Sequence, residues 1–230
     1  MELTPRLRAI AELVPPDSAF ADIGTDHAYL PTWLLLNGVI RHAIAADINQ
    51  GPLERARETA QKYAVEQQME FRLCDGLTGI REGEANVIAI AGMGGDTIAH
   101  ILSQAPWTKN PDIVLLLQPM TSQPDLREWL FLNGYCIESE SLAREGEKRY
   151  TIMRVRVGEM EALSPAELWV GKQSRDLLRG DFLDYSAQKI RKVLDGHRAA
   201  VHPDEERIDR LETVLSGVLA MKEEWNTWQL

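Results

Sequence analysis

Five short apolar runs, spaced by helical stretches, constrain this chain more than any other feature. They are "AFADI" (19–23), "HAIAADI" (42–48), "MEFRLC" (69–74), "NVIAIAG" (86–92) and "DIVLLLQ" (112–118). The last is almost wholly apolar, the pattern of a parallel strand covered on both faces. The clearest helical stretches are "GPLERARETAQKYAVEQ" and, after the fifth run, "QPDLREWLFLNG". Strand and helix in alternation predict a doubly wound α/β sheet. A helix ahead of the first run is predicted as well. Residues 3–14 put Leu3, Leu7, Ile10, Leu13 and Val14 on one face, with Thr4-Pro5 as a start and Pro15-Pro16 as a stop.

The alternation then fails. "GYCIESESLAREGEKRYTIMRVRVG" reads as two strands around a polar turn with no helix between them, so an antiparallel hairpin closes the sheet edge. A seven-stranded sheet with one reversed strand is the Rossmann-like arrangement of class I methyltransferases. A symmetrical dinucleotide fold would instead carry two mononucleotide-binding halves. After Gly158 the period changes again. "SPAE" (164–167) has capping-box spacing with Ser164 as cap. Two longer helical stretches follow, carrying Phe182, Ser186, Ile190, Val193 and His197, then Ile208, Leu211, Leu215, Val218 and Lys222, with Pro203 placed to start the second. Stripes this narrow predict an antiparallel helical hairpin, a short coiled coil; a partner-binding stripe would have the same spacing. The expected organisation is a methyltransferase domain over residues 1–158 and a helical subdomain over 159–230.

The turn after the first strand narrows the ligand. In "FADIGTDHAYLP", Gly24 allows close backbone approach and the following helix start offers free N–H groups. A pyrophosphate site would need Gly-x-Gly-x-x-Gly, but Asp26 stands at the second glycine position. A carboxylate there would repel a pyrophosphate by roughly 1–4 kcal/mol. S-adenosylmethionine has no phosphate and carries an ammonium and a sulfonium, so Asp22 and Asp26 favour it. A nicotinamide cofactor is disfavoured. Asp47, ending the second strand, suits a ribose diol, and Asp75 in "CDGL" suits the exocyclic amine of an adenine. Turn aspartates that only cap helices would look the same one at a time; three strand tips together are more specific. The fourth strand ends in "IAGMGGDTI", where Gly92, Met93 and Gly94 allow close approaches to a cofactor and to a flat substrate. Tyr29 is the candidate aromatic platform.

"ADIGTDHAYLP", "DINQGPLERA", "IAGMGG" and "LREWLFLNGY", in this order, resemble the TrmK family of bacterial tRNA adenine-22 N1-methyltransferases. The resemblance covers nearly the whole chain, strongly over residues 19–158. It implies a Rossmann-like domain with a C-terminal coiled-coil subdomain, S-adenosylmethionine as cofactor, and N1-methyladenosine as product in tRNA. It also implies that Asp22, Gly24, Asp47, Asp75, Gly76 and Gly92, with Ala91 beside the last, line the cofactor site.

The chemistry asks little of acid–base groups. N1 of adenine has a free lone pair and the sulfonium methyl is already activated, so the work is orientation, worth on the order of 7–11 kcal/mol. The product base is cationic, and Asp26 could stabilise that charge. His27 could hold the base, and Tyr29 could stack on it. The net charge of −10 argues against general nucleic-acid affinity. Residues 172–198 nonetheless hold seven basic residues against four aspartates, a local +3. Arg149, Arg175, Lys189, Arg191 and Lys192 are the candidate phosphate contacts, although a solvated helix face has the same composition. Cys74 and Cys136 read as buried strand thiols, and no motif indicates a metal. With neither a signal pattern nor a membrane-length apolar run, a cytoplasmic enzyme is expected, with tRNA as its partner and no protein partner evident. A methyltransferase acting on a small molecule or protein, and a non-catalytic cofactor-binding module, fit the same residues.

Overall fold

Pro5 occupies the first turn of α1 (Pro5–Ala11) behind an extended Thr4, and the helix ends before Pro15-Pro16. The computed structural model describes residues 1–173 and 176–228, in two compact units, Met1–Met160 and Glu161–Leu230. In the first unit follow β1 (Phe20–Ile23), α2 (Tyr29–Leu36), β2 (Ala43–Asp47), α3 (Gln50–Lys62), β3 (Met69–Leu73), β4 (Val87–Gly94), α4 (Gly95–Ser103), β5 (Val114–Thr121), α5 (Gln123–Leu132), β6 (Tyr135–Glu145) and β7 (Lys148–Val157). The seven strands order as β3-β2-β1-β4-β5-β7-β6. The first five run parallel. The hairpin joins by antiparallel pairing of β7 with β5.

The pleat sorts alternate residues onto two cores. Phe20, Ala45, Val87, Ala89, Val114, Leu116 and Ile152 face Ile10 of α1, Leu30 and Leu34 of α2, and Ala56 and Ala60 of α3. Their neighbours Ala21, Ile23, Ile88, Ile90, Leu115, Leu117 and Val155 face Ile98 and Leu102 of α4 and Leu126 and Leu130 of α5. Each fully buried Leu or Ile removes apolar surface worth about 1.5–3 kcal/mol from water. Both faces of the central strands are thereby covered, which is why the fifth run is apolar throughout. Two expectations change here. Cys74 and Cys136 are half-buried rather than buried, and Cys74 lies just beyond β3.

The second unit contains α6 (Pro165–Val170), α7 (Arg179–Arg198) and α8 (Glu205–Trp228). Both bonds of the capping box form: the Glu167 N–H donates to Ser164 Oγ at 3.2 Å, and the Ser164 N–H to Glu167 Oε2 at 2.7 Å. The buried face of α7 is rotated from the expected stripe, to Phe182, Leu183, Ala187, Ile190 and Leu194, leaving Val193 exposed. On α8 it is Ile208, Leu211, Val214, Val218 and Trp225. Lys222 instead reaches back to α7, donating to the Gly180 carbonyl at 3.0 Å and to Asp184 at 2.6 Å. Helix α8 is also packed by α6: a Cβ at Gly217 would stand 2.6 Å from that of Ala166. A third helix needs apolar surface that a two-helix stripe would not expose. Pro203 sits two residues before α8 rather than starting it, because Asp204 takes the cap and accepts from the Arg207 N–H at 3.0 Å.

Candidate active site

Strand β1 lies between β2 and β4, where the strand order reverses direction, and the carboxyl ends of such strands frame a crevice for ligands. Asp22 sits in β1 with Ala45 and Ala89 as lateral neighbours. Burial pushes its carboxyl up to about 6. The Thr25 hydroxyl and the Arg6 charge pull it down, and Asp47 adds a smaller upward push. The Thr25 hydroxyl makes no hydrogen bond of ordinary geometry, so it acts on the carboxylate as a nearby dipole.

Gly24 has φ +76. Its N–H and that of Thr25 both donate to the Ala46 carbonyl, at 2.8 and 3.0 Å, pinning the turn to the end of β2. A Cβ on Gly24 would lie 2.0 Å from the Met93 methyl, so the glycine makes room for this chain's own fourth strand. Asp47 is half-exposed, and one of its oxygens accepts from the Asn49 N–H at 2.7 Å. Asp75 is exposed. Gly76, φ +53, has no space for a side chain because Ile101 would stand 2.9 Å from its Cβ. Carboxylates from three adjacent parallel strands thus line one edge of the crevice.

The other edge is the end of β4. Ladder pairing with β5 continues past Ala91 through two register shifts, to Gly94 opposite Thr121. Gly92 adopts φ +80 and its N–H donates to Gln118 Oε1 at 3.1 Å. Gln118 is fully buried, and its amide nitrogen donates to the Pro119 carbonyl at 3.0 Å. Gly95 must be glycine, since a Cβ there would stand 2.3 Å from the Ser122 carbonyl oxygen.

Asp26, His27 and Tyr29 cluster at the start of α2. Ala28 between them is left-handed, φ 51. That turn stacks the His27 and Tyr29 rings at 4.9 Å with 5° between their planes. Asp26 does not stand free. One oxygen accepts from Arg55 Nε at 3.0 Å and from Arg55 Nη2, and the other is 3.7 Å from His27 Nε2.

The candidate phosphate contacts divide. Lys189, Arg191 and Lys192 are exposed on α7, with Lys189 over the Tyr185 ring. Arg149 is half-buried at the start of β7, with Nη1 3.4 Å from the Gly146 carbonyl. Arg175 lies outside the described residues. Others in the basic run are engaged within their unit: Arg179 is buried and donates to Gln173 at 2.8 Å, Lys172 pairs with Glu167, and Arg198 with Glu212. Among the described residues no His, Cys, Asp or Glu cluster could hold a metal ion, and no helix is long and apolar enough to cross a membrane.

Three residues at this crevice escaped the sequence reading. Arg6 of α1 donates from Nη1 to Gln118 Oε1 at 2.8 Å, Gln118 ties it to Gly92, and Ile48 is exposed beside Asp47. Ile48 had a local signal, an apolar residue directly after a strand-tip acid. The other two had none, because their contacts span more than twenty residues.

A family model described as a methyltransferase domain matches residues 3–153. The tRNA (adenine(22)-N(1))-methyltransferase of Bacillus subtilis (strain 168) is 38% identical over 162 residues, 70% of this chain and 68% of that protein. Among solved structures, the B. subtilis M1A22 tRNA methyltransferase TrmK superposes with a TM-score of 0.79 at 30% identity, covering 97% of this chain and 98% of that one. M. capricolum TrmK, solved with the cofactor product S-adenosyl-homocysteine, gives a TM-score of 0.79 at 26% identity over 97% of this chain and 99% of that one.

Proposed function

This chain belongs to the tRNA (adenine(22)-N(1))-methyltransferase family, and we infer that it methylates N1 of adenine 22 in bacterial tRNA, giving N1-methyladenosine. The cofactor is S-adenosylmethionine, which when bound supplies a methyl group already activated on sulfur. The observation that carries the site assignment is the row of carboxylates at the tips of β1, β2 and β3. Those tips suit a phosphate-free cofactor with a cationic head, a ribose diol and an adenine amine. Asp22 would hold the ammonium, Asp47 the diol and Asp75 the amine, while Gly24, Gly76, Ala91 and Gly92 would let backbone approach and exposed Ile48 would offer the adenine an apolar surface. Met93 and Gly94 would line the side facing the target base. Asp26 offsets the positive charge that the base acquires, and Tyr29 offers it a ring. The lone pair on N1 makes a general base or a metal unnecessary. Lys189, Arg191, Lys192, Arg149 and, in the undescribed segment, Arg175 are the proposed phosphate contacts, with the helical unit positioning tRNA in the cytoplasm.

Nucleoside mass spectrometry tests the activity. An unmodified tRNA transcript incubated with protein and S-adenosylmethionine should yield N1-methyladenosine, and a transcript with guanosine at position 22 should not. Product at another position, or none, would remove the assignment.

A second expectation follows from Asp22. Its carboxyl is raised from 3.8 to about 6, so the free fold loses stability as pH climbs between those values and the unfolded chain ionises first. An ammonium beside it needs the ionised form, so cofactor binding releases a proton below pH 6. Affinity for S-adenosylhomocysteine should fall by up to about tenfold between pH 7 and pH 5, and Asp22→Asn should abolish that slope. Calorimetry across this range, in buffers of different ionisation enthalpy, reads both. A flat wild-type profile would place the ammonium elsewhere.

A further inference from the structure

We propose that Arg6 receives the carboxylate of the cofactor's amino-acid portion, so that Arg6 and Asp22 together read a zwitterion. The inference rests on the cofactor assignment above. It extends that assignment to a residue of the N-terminal helix, far in sequence from every strand tip.

The guanidinium is fixed by two contacts: its Nη1 donates to Gln118 Oε1 at 2.8 Å, and its carbon lies 5.6 Å from the centre of the Tyr150 ring. The main chain is tied separately, the Arg6 backbone N–H donating to Glu145 Oε1 of β6 at 2.8 Å. Gln118 Oε1 accepts from Gly92 as well, so one buried oxygen sets Arg6 and the end of β4 relative to each other. A Cβ on Gly92 would stand 3.3 Å from Arg6 Nη1. The cation therefore lies over the glycine that opens the crevice, where a larger residue would crowd it.

This cation has capacity to spare. A guanidinium carries five N–H donors, and among the described residues its one side-chain hydrogen bond goes to Gln118. No carboxylate lies within ion-pair distance of it among the described residues, although its charge is felt at Asp22. A half-buried guanidinium held this firmly, with most of its donors unspent, is arranged for an anion.

The neighbours choose which anion. Asp22 and Asp47 stand at the same crevice, so a phosphodiester approaching Arg6 would meet their repulsion. An α-amino acid head brings its own ammonium for the acidic side and a carboxylate for the basic side. Planar, two-point recognition of a carboxylate is what a guanidinium does better than an ammonium.

Two ligands separate this reading from its rivals. S-adenosylhomocysteine carries the amino-acid head, whereas 5′-methylthioadenosine keeps the adenosine and sulfur without it. Calorimetry on the full chain should show Arg6→Met weakening S-adenosylhomocysteine about 10- to 100-fold and leaving methylthioadenosine within twofold, which also reports an intact site. Arg6→Lys should recover part of the loss. Equal weakening of both ligands would make Arg6 a packing residue and overturn the proposal. So would unchanged S-adenosylhomocysteine affinity with a raised Michaelis constant for tRNA, which would assign the cation to phosphate. A wild-type protein that binds neither ligand would sink the cofactor assignment and this inference with it. A wild type that binds both, with Arg6→Met unaltered, would sink this inference alone.

Discussion

Asp26→Asn is expected to slow methyl transfer by about 10²-fold at saturating tRNA and cofactor, with S-adenosylhomocysteine affinity within twofold of wild type. Removing one charge contact made in the transition state costs roughly 2.7–4 kcal/mol, or 10²–10³-fold. The lower end applies here, because the Arg55 guanidinium already offsets part of the Asp26 charge. That pair also explains why asparagine is the informative replacement. It keeps the shape and leaves Arg55 an oxygen to donate to, so orientation survives while charge is lost. Single-turnover kinetics reads the chemical step directly. If the variant instead loses S-adenosylhomocysteine while saturating turnover is preserved, the carboxylate belongs to the cofactor's ammonium. Tyr29→Phe should be mild and Tyr29→Ala severe, since the ring stacked on His27, not the hydroxyl, is the feature offered to a base.

Deleting residues 161–230 should abolish tRNA methylation while S-adenosylhomocysteine still binds. The first unit holds the whole sheet and every strand tip assigned to the cofactor, within its own core. A finer variant isolates the electrostatics. Lys189→Glu with Lys192→Glu reverses two exposed charges one helical turn apart on α7, away from buried Ile190 and Leu194. It should raise the tRNA Michaelis constant. It should also lower the slope of its logarithm against log salt by about 1.5, since two phosphates no longer release counterions. Unchanged kinetics would show a solvated helix face and nothing more.

What the sequence made legible was whatever depends on neighbours. Alternation across the pleat placed β1 to β5 within a few residues, Pro5 marked the start of α1, and Ser164 with Glu167 announced a capping box that forms in full. Strand-tip acids could be found because a tip is a local event, a polar residue where an apolar run stops. The misses are nonlocal. On α7 Val193 faces water and Leu194 the interior, and on α8 a third helix, α6, takes up surface at Gly217 that a two-helix stripe does not foresee. Arg179 counted toward a basic surface until Gln173 claimed it in the interior. The partner of Asp26 lies 29 residues away, and nothing in "GTDHAY" names it.

Helix α1 leaves the ribosome ahead of the sheet, yet the two hydrogen bonds that hold Arg6 reach forward 112 and 139 positions, to Gln118 and Glu145. At about 5–20 residues per second, the second anchor is synthesised roughly 7–28 s after the residue it holds. Those two bonds can therefore close only after most of the sheet has been made, the second once the hairpin has added β6. A nascent chain halted before Glu145 carries every acidic strand tip and the Gln118 anchor of the cation, but lacks the bond that ties the backbone of α1 to β6. Assembly order leaves a helix that precedes the whole sheet in sequence waiting on β6 for one of its ties.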